Sequence, residues 1–266
     1  MGRKIVIYHS WCSDGLLAAY LICKKYPDAE PYPAVHGTTP IPDVTGRDVF
    51  IVDFSYSREI LLDMKAKAKS LLVLDHHKSA QEALSGLDFC MFDMARSGCG
   101  MTWDYLYPGH QRQWIVNFTE DIDLWNFLLP KSREVNCAIR SYPLTFEALD
   151  MLEKMNPYDL AKEGEILLRS QRNMVDSIVK KAREVEIQGH KVLCVNTPVL
   201  QSEVANYLSK GRPFGVCWFE SESGDRVYSL RSQEDGIDVS TIAKKYPGGG
   251  GHYHSAGYRI LPGEKL

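Results

Sequence analysis

Side chains able to bind metal stand at the ends of three apolar runs. His9, Cys12 and Asp14 follow or close "KIVIYH" (4–9), Asp53 closes "DVFIVDF" (48–54), and Asp75, His76 and His77 close "LLVLDHH" (71–77). Mixed imidazole and carboxylate donors with open positions suit a divalent first-row metal that carries out hydrolysis. Singly, each has a plainer reading: His9 as a structural histidine, Asp14 as a helix N-cap, Asp75 as a cap followed by two solvated histidines. All of those readings would have to hold at once. A further acidic pair lies in "TEDIDLWNF" (119–127), where Asp121 and Asp123 are two apart. On a helix they point to different faces, so one of them reaches a common site, unless both form a solvated helix end. In "KKYPGGGGHYHSAG" (244–257) the glycines lie between a helix and a strand and not between domains. Glycine lets backbone N–H groups approach an anion closely, and His252 adds a donor, so the run reads as a phosphate cradle.

These groups need elements to hold them. Helical spacing in "DGLLAAYLICKKY" (14–26) and an amphipathic "SREILLDMKAKAKS" (57–70) behind Ser57 as N-cap alternate with the three strand-like runs. Such alternation predicts an α/β, doubly wound, mainly parallel sheet with helices on both faces and ligands at the strands' C-terminal ends. Gly15 is expected to let the backbone turn into the first helix. Residues 97–155 read as mostly helical, and 158–187 as one long helix that links two domains. Strands "HKVLCVNT", "FGVCWFES" and "RVYSLRS" with one intervening helix then predict a smaller mixed α/β domain. The expected organisation is a catalytic domain over 1–157, a helical linker over 158–187 and a second domain over 188–266.

Composition narrows the function classes. A 44% hydrophobic content in 266 residues supports a sizeable core. Seven scattered cysteines without a CxxC pair suggest neither a disulfide framework nor a structural zinc site, and a reducing, cytoplasmic setting is expected. No long apolar segment indicates a secretion signal or a membrane-spanning helix. Net charge is −3 with the signs interleaved, and residues 188–266 carry nine Lys and Arg against eight Asp and Glu. That is too little to track a long nucleic acid by counterion release. Any nucleic-acid substrate is expected to be short.

The ordered set "HSWCSDG", "VDF", "DHH", "DLWNF", then "SLRS" and "GGGGHYHSAG", resembles the DHH phosphoesterase family with its C-terminal DHH-associated domain, over nearly the whole chain. The resemblance implies two divalent metal ions, of the manganese type, in a cleft between the domains. It implies that Asp53 bridges them, with His9 on the first and Asp14, His76 and Asp123 on the second. Asp75 would orient His76, and His77 would face the substrate phosphate. Arg231, Gly249, Gly250, Gly251 and His252 would hold the substrate's other end. Many family members carry a further Asp where this chain has Cys12, which leaves two readings open: a soft thiolate ligand, or a small apolar residue.

The function implied is a metal-dependent phosphodiesterase for short oligoribonucleotides or dinucleotides, as in the family's nanoRNase branch. The alternatives are a hydrolase of cyclic or other signalling nucleotides or small phosphomonoesters, and a non-catalytic nucleotide-binding module. A homodimer is compatible with the sequence, and a membrane partner is not expected.

Overall fold

The strand-forming runs at the start of the chain assemble side by side. The computed structural model describes residues 4–35 and 39–263, so the first and last three residues of the expected domains lie outside the described residues. The chain divides into two compact units, Met1–Leu168 and Arg169–Leu266.

In the first unit the elements run β1 (Ile5–His9), α1 (Ser13–Lys25), β2 (Glu30–Ala34), β3 (Asp48–Val52), α2 (Arg58–Lys67), β4 (Ser70–Asp75), α3 (Lys78–Ala83), β5 (Cys90–Phe92), α4 (Gly98–Leu106), α5 (Trp114–Asp123), α6 (Ser132–Ile139) and α7 (Phe146–Leu152). The sheet order is β2-β1-β3-β4-β5, and every pairing is parallel. Successive strand residues point to opposite faces. Ile5, Ile7, Ile51 and Val73 accordingly meet Leu61 and Met64 of α2 in one core, while Val6, Val52 and Leu74 meet α1 and α4 to α7 in the other. Each such side chain contributes roughly 1.5–3 kcal/mol on burial, which fixes the strand register and so the height at which each strand ends.

Two strands of the first unit escape the sequence reading. "EPYPA" contains Pro31 and Pro33, and it forms β2 at the sheet edge, where missing N–H groups are tolerated. β5 spans only Cys90–Phe92 at the other edge. With β2 in place, the order reverses direction between β1 and β3. In open α/β sheets ligands bind beyond the strand ends at such a switch point.

α8 (Pro157–Val179) begins with Pro157 after Asn156, whose side chain accepts the Tyr158 N–H at 2.8 Å. The expected helix over 158–187 is too long: it stops at Val179, and Arg183–Ile187 is a strand, β6. β6 pairs with β7 (His190–Asn196) across Gln188 and Gly189, both at positive φ (51° and 80°), which is the two-residue turn suited to strand twist. α9 (Gln201–Leu208), β8 (Gly215–Glu220), β9 (Arg226–Arg231), α10 (Val239–Ala243), β10 (Gly250–His252) and β11 (Ser255–Ile260) complete the second unit. Its sheet order is β10-β11-β9-β8-β7-β6, parallel at β7–β8 and antiparallel elsewhere. Among the described residues, no helix is long and apolar enough to cross a membrane.

Candidate metal centre

The ends of β1, β3 and β4, the first turn of α1 and the last residue of α5 converge in the first unit. Ligand atoms of His9, Asp53 and His77 lie within 4.8 Å of one another, and so do those of Asp14, His76 and Asp123. Asp53 stands between the two groups: its Oδ1 is 3.2 Å from His76 Nε2, and its Oδ2 is 3.6 Å from His9 Nδ1. His76 Nε2 also lies 3.4 Å from Asp123 Oδ2 and 3.9 Å from Asp14 Oδ2. Asp53 follows β3 at φ 51°, in the left-handed region that Asp tolerates better than most residues. Left-handed backbone at a non-glycine costs roughly 1–3 kcal/mol and is kept where surrounding structure holds it.

Two glycines make the convergence possible. Gly98 opens α4, and a Cβ there would lie 2.6 Å from Asp53 Cβ and 2.8 Å from Asp14 Oδ2. The N–H groups of Gly98 and Cys99 donate to the Asp14 carboxylate at 2.7 and 2.9 Å, so Asp14 binds the positive end of α4 and does not cap its own helix. The N-cap of α1 is Cys12, without a side-chain hydrogen bond. Gly15 lies within α1 and makes no turn; a Cβ there would meet the His9 carbonyl oxygen at 2.6 Å and Asp53 Oδ2 at 3.0 Å.

Asp75 departs from its expected role. Its Oδ1 accepts from His77 Nδ1 at 2.7 Å and reaches His76 through the backbone N–H at 2.7 Å, while Ser55 Oγ donates to Oδ2 at 2.5 Å. Asp75 therefore orients the ring of His77, not that of His76. Fixing Nδ1 toward a carboxylate aims Nε2 at the opposite side, the arrangement that prepares an imidazole to bind a metal. His77 thus offers a ligand atom beside those of His9 and Asp53.

The electrostatics follow from burial and crowding. Burial works against the ionised form of Asp53, yet the hydrogen bond with His76 and the nearby His9 and His77 imidazoles hold its carboxyl far below the usual range. Burial and the Asp53 charge push Asp14 up; burial and the Asp14 charge do the same to Asp123. His76 is raised to about 10, because the Asp53 hydrogen bond and the charges of Asp123, Asp53 and Asp14 outweigh burial. His77 is raised to about 9 against burial by Asp75, and Asp75 falls to about 2 against burial through His77 and Ser55. Crowded carboxylates with this strong a demand for positive charge, oxygen and nitrogen donors, and a buried Asp53 Oδ2 that accepts no hydrogen bond together fit divalent cations.

The other expected residues fall in different places. Asp121 accepts the N–H groups of Leu128 at 2.9 Å and Leu129 at 3.4 Å, and so shapes the loop after α5 instead of joining the donors. Cys12 belongs to neither donor group; burial and the charges of Asp53, Asp123 and Asp14 push its thiol well up. In the second unit Arg231 donates to Ser202 Oγ and the Leu230 carbonyl, both at 2.8 Å, and burial lowers it to about 10. Among the described residues it has no carboxylate ion-pair partner. The glycine run is not an open loop. A Cβ at Gly249 would meet the Ala243 carbonyl oxygen, and Gly250, Gly251 and His252 form β10, with Gly251 at φ 136° against Ala256. Sequence reasoning missed Gly98 and Ser55. Ser97 before α4, whose hydroxyl accepts the Gly100 N–H, was the available signal for Gly98, while Ser55 had none.

No family model matches the chain. An uncharacterized protein of Acanthamoeba polyphaga mimivirus is 28% identical over 98% of this chain and 70% of its own length. Oligoribonuclease NrnB of Bacillus subtilis is 34% identical over 42% of this chain and 26% of its own length. Among solved structures, the DHH domain of a member of a ribosomal-protein family superposes with a TM-score of 0.59 at 12% identity, over 99% of this chain and 84% of that one. RecJ from Thermus thermophilus in complex with Mn2+ gives 0.57 at 14% identity, over 97% of this chain and 50% of that one. A pGpG-specific phosphodiesterase, PggH, from Vibrio gives 0.50 at 15% identity, over 97% and 93%. In fold, this chain is similar to these DHH-domain proteins.

Proposed function

We propose that this chain is a divalent-cation-dependent phosphodiesterase acting on short oligoribonucleotides or dinucleotides. The observation that carries the reading is Asp53, whose two carboxylate oxygens face separate donor groups at the switch point of the sheet. His9, Asp53 and His77 would hold one cation, and Asp14, His76, Asp123 and Asp53 the other. Two such cations supply Lewis acidity toward a phosphoryl oxygen and lower the pKa of attacking water. The protein's own part is positional. α4 holds Asp14, Asp75 and Ser55 hold His77, and the left-handed turn at Asp53 presents its carboxylate to both groups. In the second unit, Arg231 and the His252 strand would take a phosphate group.

The names of similar proteins support the substrate class: an oligoribonuclease, an exonuclease bound to manganese and a phosphodiesterase for pGpG, itself a linear dinucleotide. A non-catalytic binder would have no need of six donors brought together from five elements. The test is to strip the purified protein of metal, add Mn2+ or Mg2+, and offer linear dinucleotides, a cyclic dinucleotide, longer RNA and a phosphomonoester, with products separated by mass. Mononucleotides released from the dinucleotides fastest are expected. No metal-dependent product from any substrate would overturn the proposal.

A further inference from the structure

Two tryptophans beside the donor groups have no role in the arrangement above. Trp11 lies between His9 and Asp14 and is 85% exposed, with φ 62°. Trp125 lies two residues beyond Asp123, is 37% exposed, and has φ 59°. A bulky residue in the left-handed region is an outlier, and two of them each flank a metal donor. Packing does not reward Trp11, whose ring contacts no other aromatic ring among the described residues. Trp125 is braced by its neighbours: Phe127, also at positive φ (53°), meets it edge-on at 4.8 Å, and the Arg133 guanidinium stacks 3.3 Å from the Phe127 centroid and lies 5.9 Å from the Trp125 centroid, which leaves the indole 37% exposed. The Cα of each tryptophan is at most about 7 Å from that of its neighbouring donor residue, His9 or Asp123.

Indole offers no metal ligand, and its N–H is a single donor. What an exposed, backbone-fixed indole offers beside a phosphoester site is a π-face, on which any base can stack. We infer that Trp11 and Trp125 are stacking platforms for the nucleobases on either side of the phosphate that reacts at the metal centre. This rests on the phosphodiesterase reading and sharpens it: the substrate carries at least one base next to the scissile bond, and base identity matters little because stacking is sequence-tolerant. Trp11 and Trp125 are specificity residues, since what they distinguish is a nucleotide from a base-free phosphoester.

The test uses the full chain with Mn2+ and two substrates, pApA and its abasic analogue, alongside binding of AMP and of ribose 5-phosphate followed by tryptophan fluorescence. Stacking by one base is worth roughly 5- to 150-fold on alanine substitution. The parent should therefore prefer pApA to the abasic dinucleotide in kcat/KM by at least that range's lower end, through KM. Trp11→Ala and Trp125→Ala should each shrink that preference, whereas Trp11→Phe and Trp125→Phe keep most of it. AMP should quench fluorescence and bind 5- to 150-fold more weakly to Trp11→Ala, with an unchanged thermal midpoint to exclude misfolding. Equal kcat/KM for pApA and the abasic dinucleotide in the parent, or an alanine variant that loses both substrates in the same proportion, would overturn the inference and leave the phosphodiesterase reading standing. Should the parent cleave neither substrate, the phosphodiesterase reading fails, and the comparison of AMP with ribose 5-phosphate still decides whether the indoles bind bases.

Discussion

Gly98→Ala isolates geometry from chemistry. The substitution keeps the N–H that donates to Asp14 at 2.7 Å and removes no donor atom from either group. It adds one methyl group, whose carbon would lie 2.6 Å from Asp53 Cβ, 2.8 Å from Asp14 Oδ2 and 3.0 Å from Asp53 Cα. Carbon atoms settle at roughly 3.5–4.0 Å, so something must move by about 1 Å. The first atom met is a Cβ fixed to backbone, not the far end of a flexible side chain. α4 cannot retreat instead without stretching both hydrogen bonds to Asp14 and the contact of the Ser97 N–H with Glu120 at 3.0 Å. Asp53 and Asp14 therefore move apart in either case. Misplacing a reacting group by about 1 Å costs on the order of 10²-fold in rate, or about 2.7 kcal/mol of transition-state stabilisation. Overpacking costs roughly 1–3 kcal/mol of stability, partly offset by the helix preference of Ala over Gly, up to about 1 kcal/mol. The assay is kcat/KM on a dinucleotide at saturating Mn2+, with Mn2+ affinity from calorimetry and thermal melts alongside. A folded Gly98→Ala protein that binds Mn2+ and turns over like the parent would refute the account of how the two carboxylates are held.

The remaining predictions concern single groups. Asp53→Ala should abolish hydrolysis and lower the number of Mn2+ ions bound, read by calorimetry on a protein whose melt still shows a fold. Asp75→Asn should lower the His77 pKa in metal-free protein from about 9 toward its ordinary value, read by NMR. Because that pKa is raised on folding, the ion pair stabilises metal-free protein fully below about pH 6.5 and loses its effect as pH rises through about 9; the melting difference between parent and Asp75→Asn should shrink over that window. Arg231→Ala should reduce activity on a dinucleotide far more than on a minimal phosphoester, and Arg231→Lys should not restore it, since Lys lacks the planar fork. Cys12→Asp should tighten Mn2+ binding if position 12 adjoins a cation, and identical binding curves would make the cysteine a bystander.

What could be read from the sequence was set by how local each requirement is. β1, β3 and β4 are uninterrupted apolar runs, so their ends, and with them His9, Asp53 and His76, can be located residue by residue. β2 hides behind two prolines that would exclude it from the middle of a sheet. Without it the strands are known but their order is not, so the switch point between β1 and β3 stays invisible until the sheet is assembled. β6 hides for another reason: "REVEI" is rich in residues that also suit a helix, and only the Gln188-Gly189 turn marks the change.

The side-chain partners at the site are less legible still, because they depend on where the chain turns after a strand. In "DHH" the two histidines are equivalent as letters. The backbone N–H groups of both reach Asp75 Oδ1, at 2.7 and 3.2 Å, and this local turn brings the His77 ring back onto the same oxygen at 2.7 Å while sending His76 toward Asp53. One carboxylate thus sorts two identical residues into different groups. The same holds for Asp121 and Asp123, where helical spacing says that they diverge but only the loop that follows decides which one faces inward. Asp121 is occupied by the N–H groups of Leu128 and Leu129, and that loop closure leaves Asp123 at the helix end beside His76. Glycine is the least legible of all: Gly15 and Gly98 matter for the methyl group each lacks, and the atoms that would collide with it come from strands and helices far away in sequence.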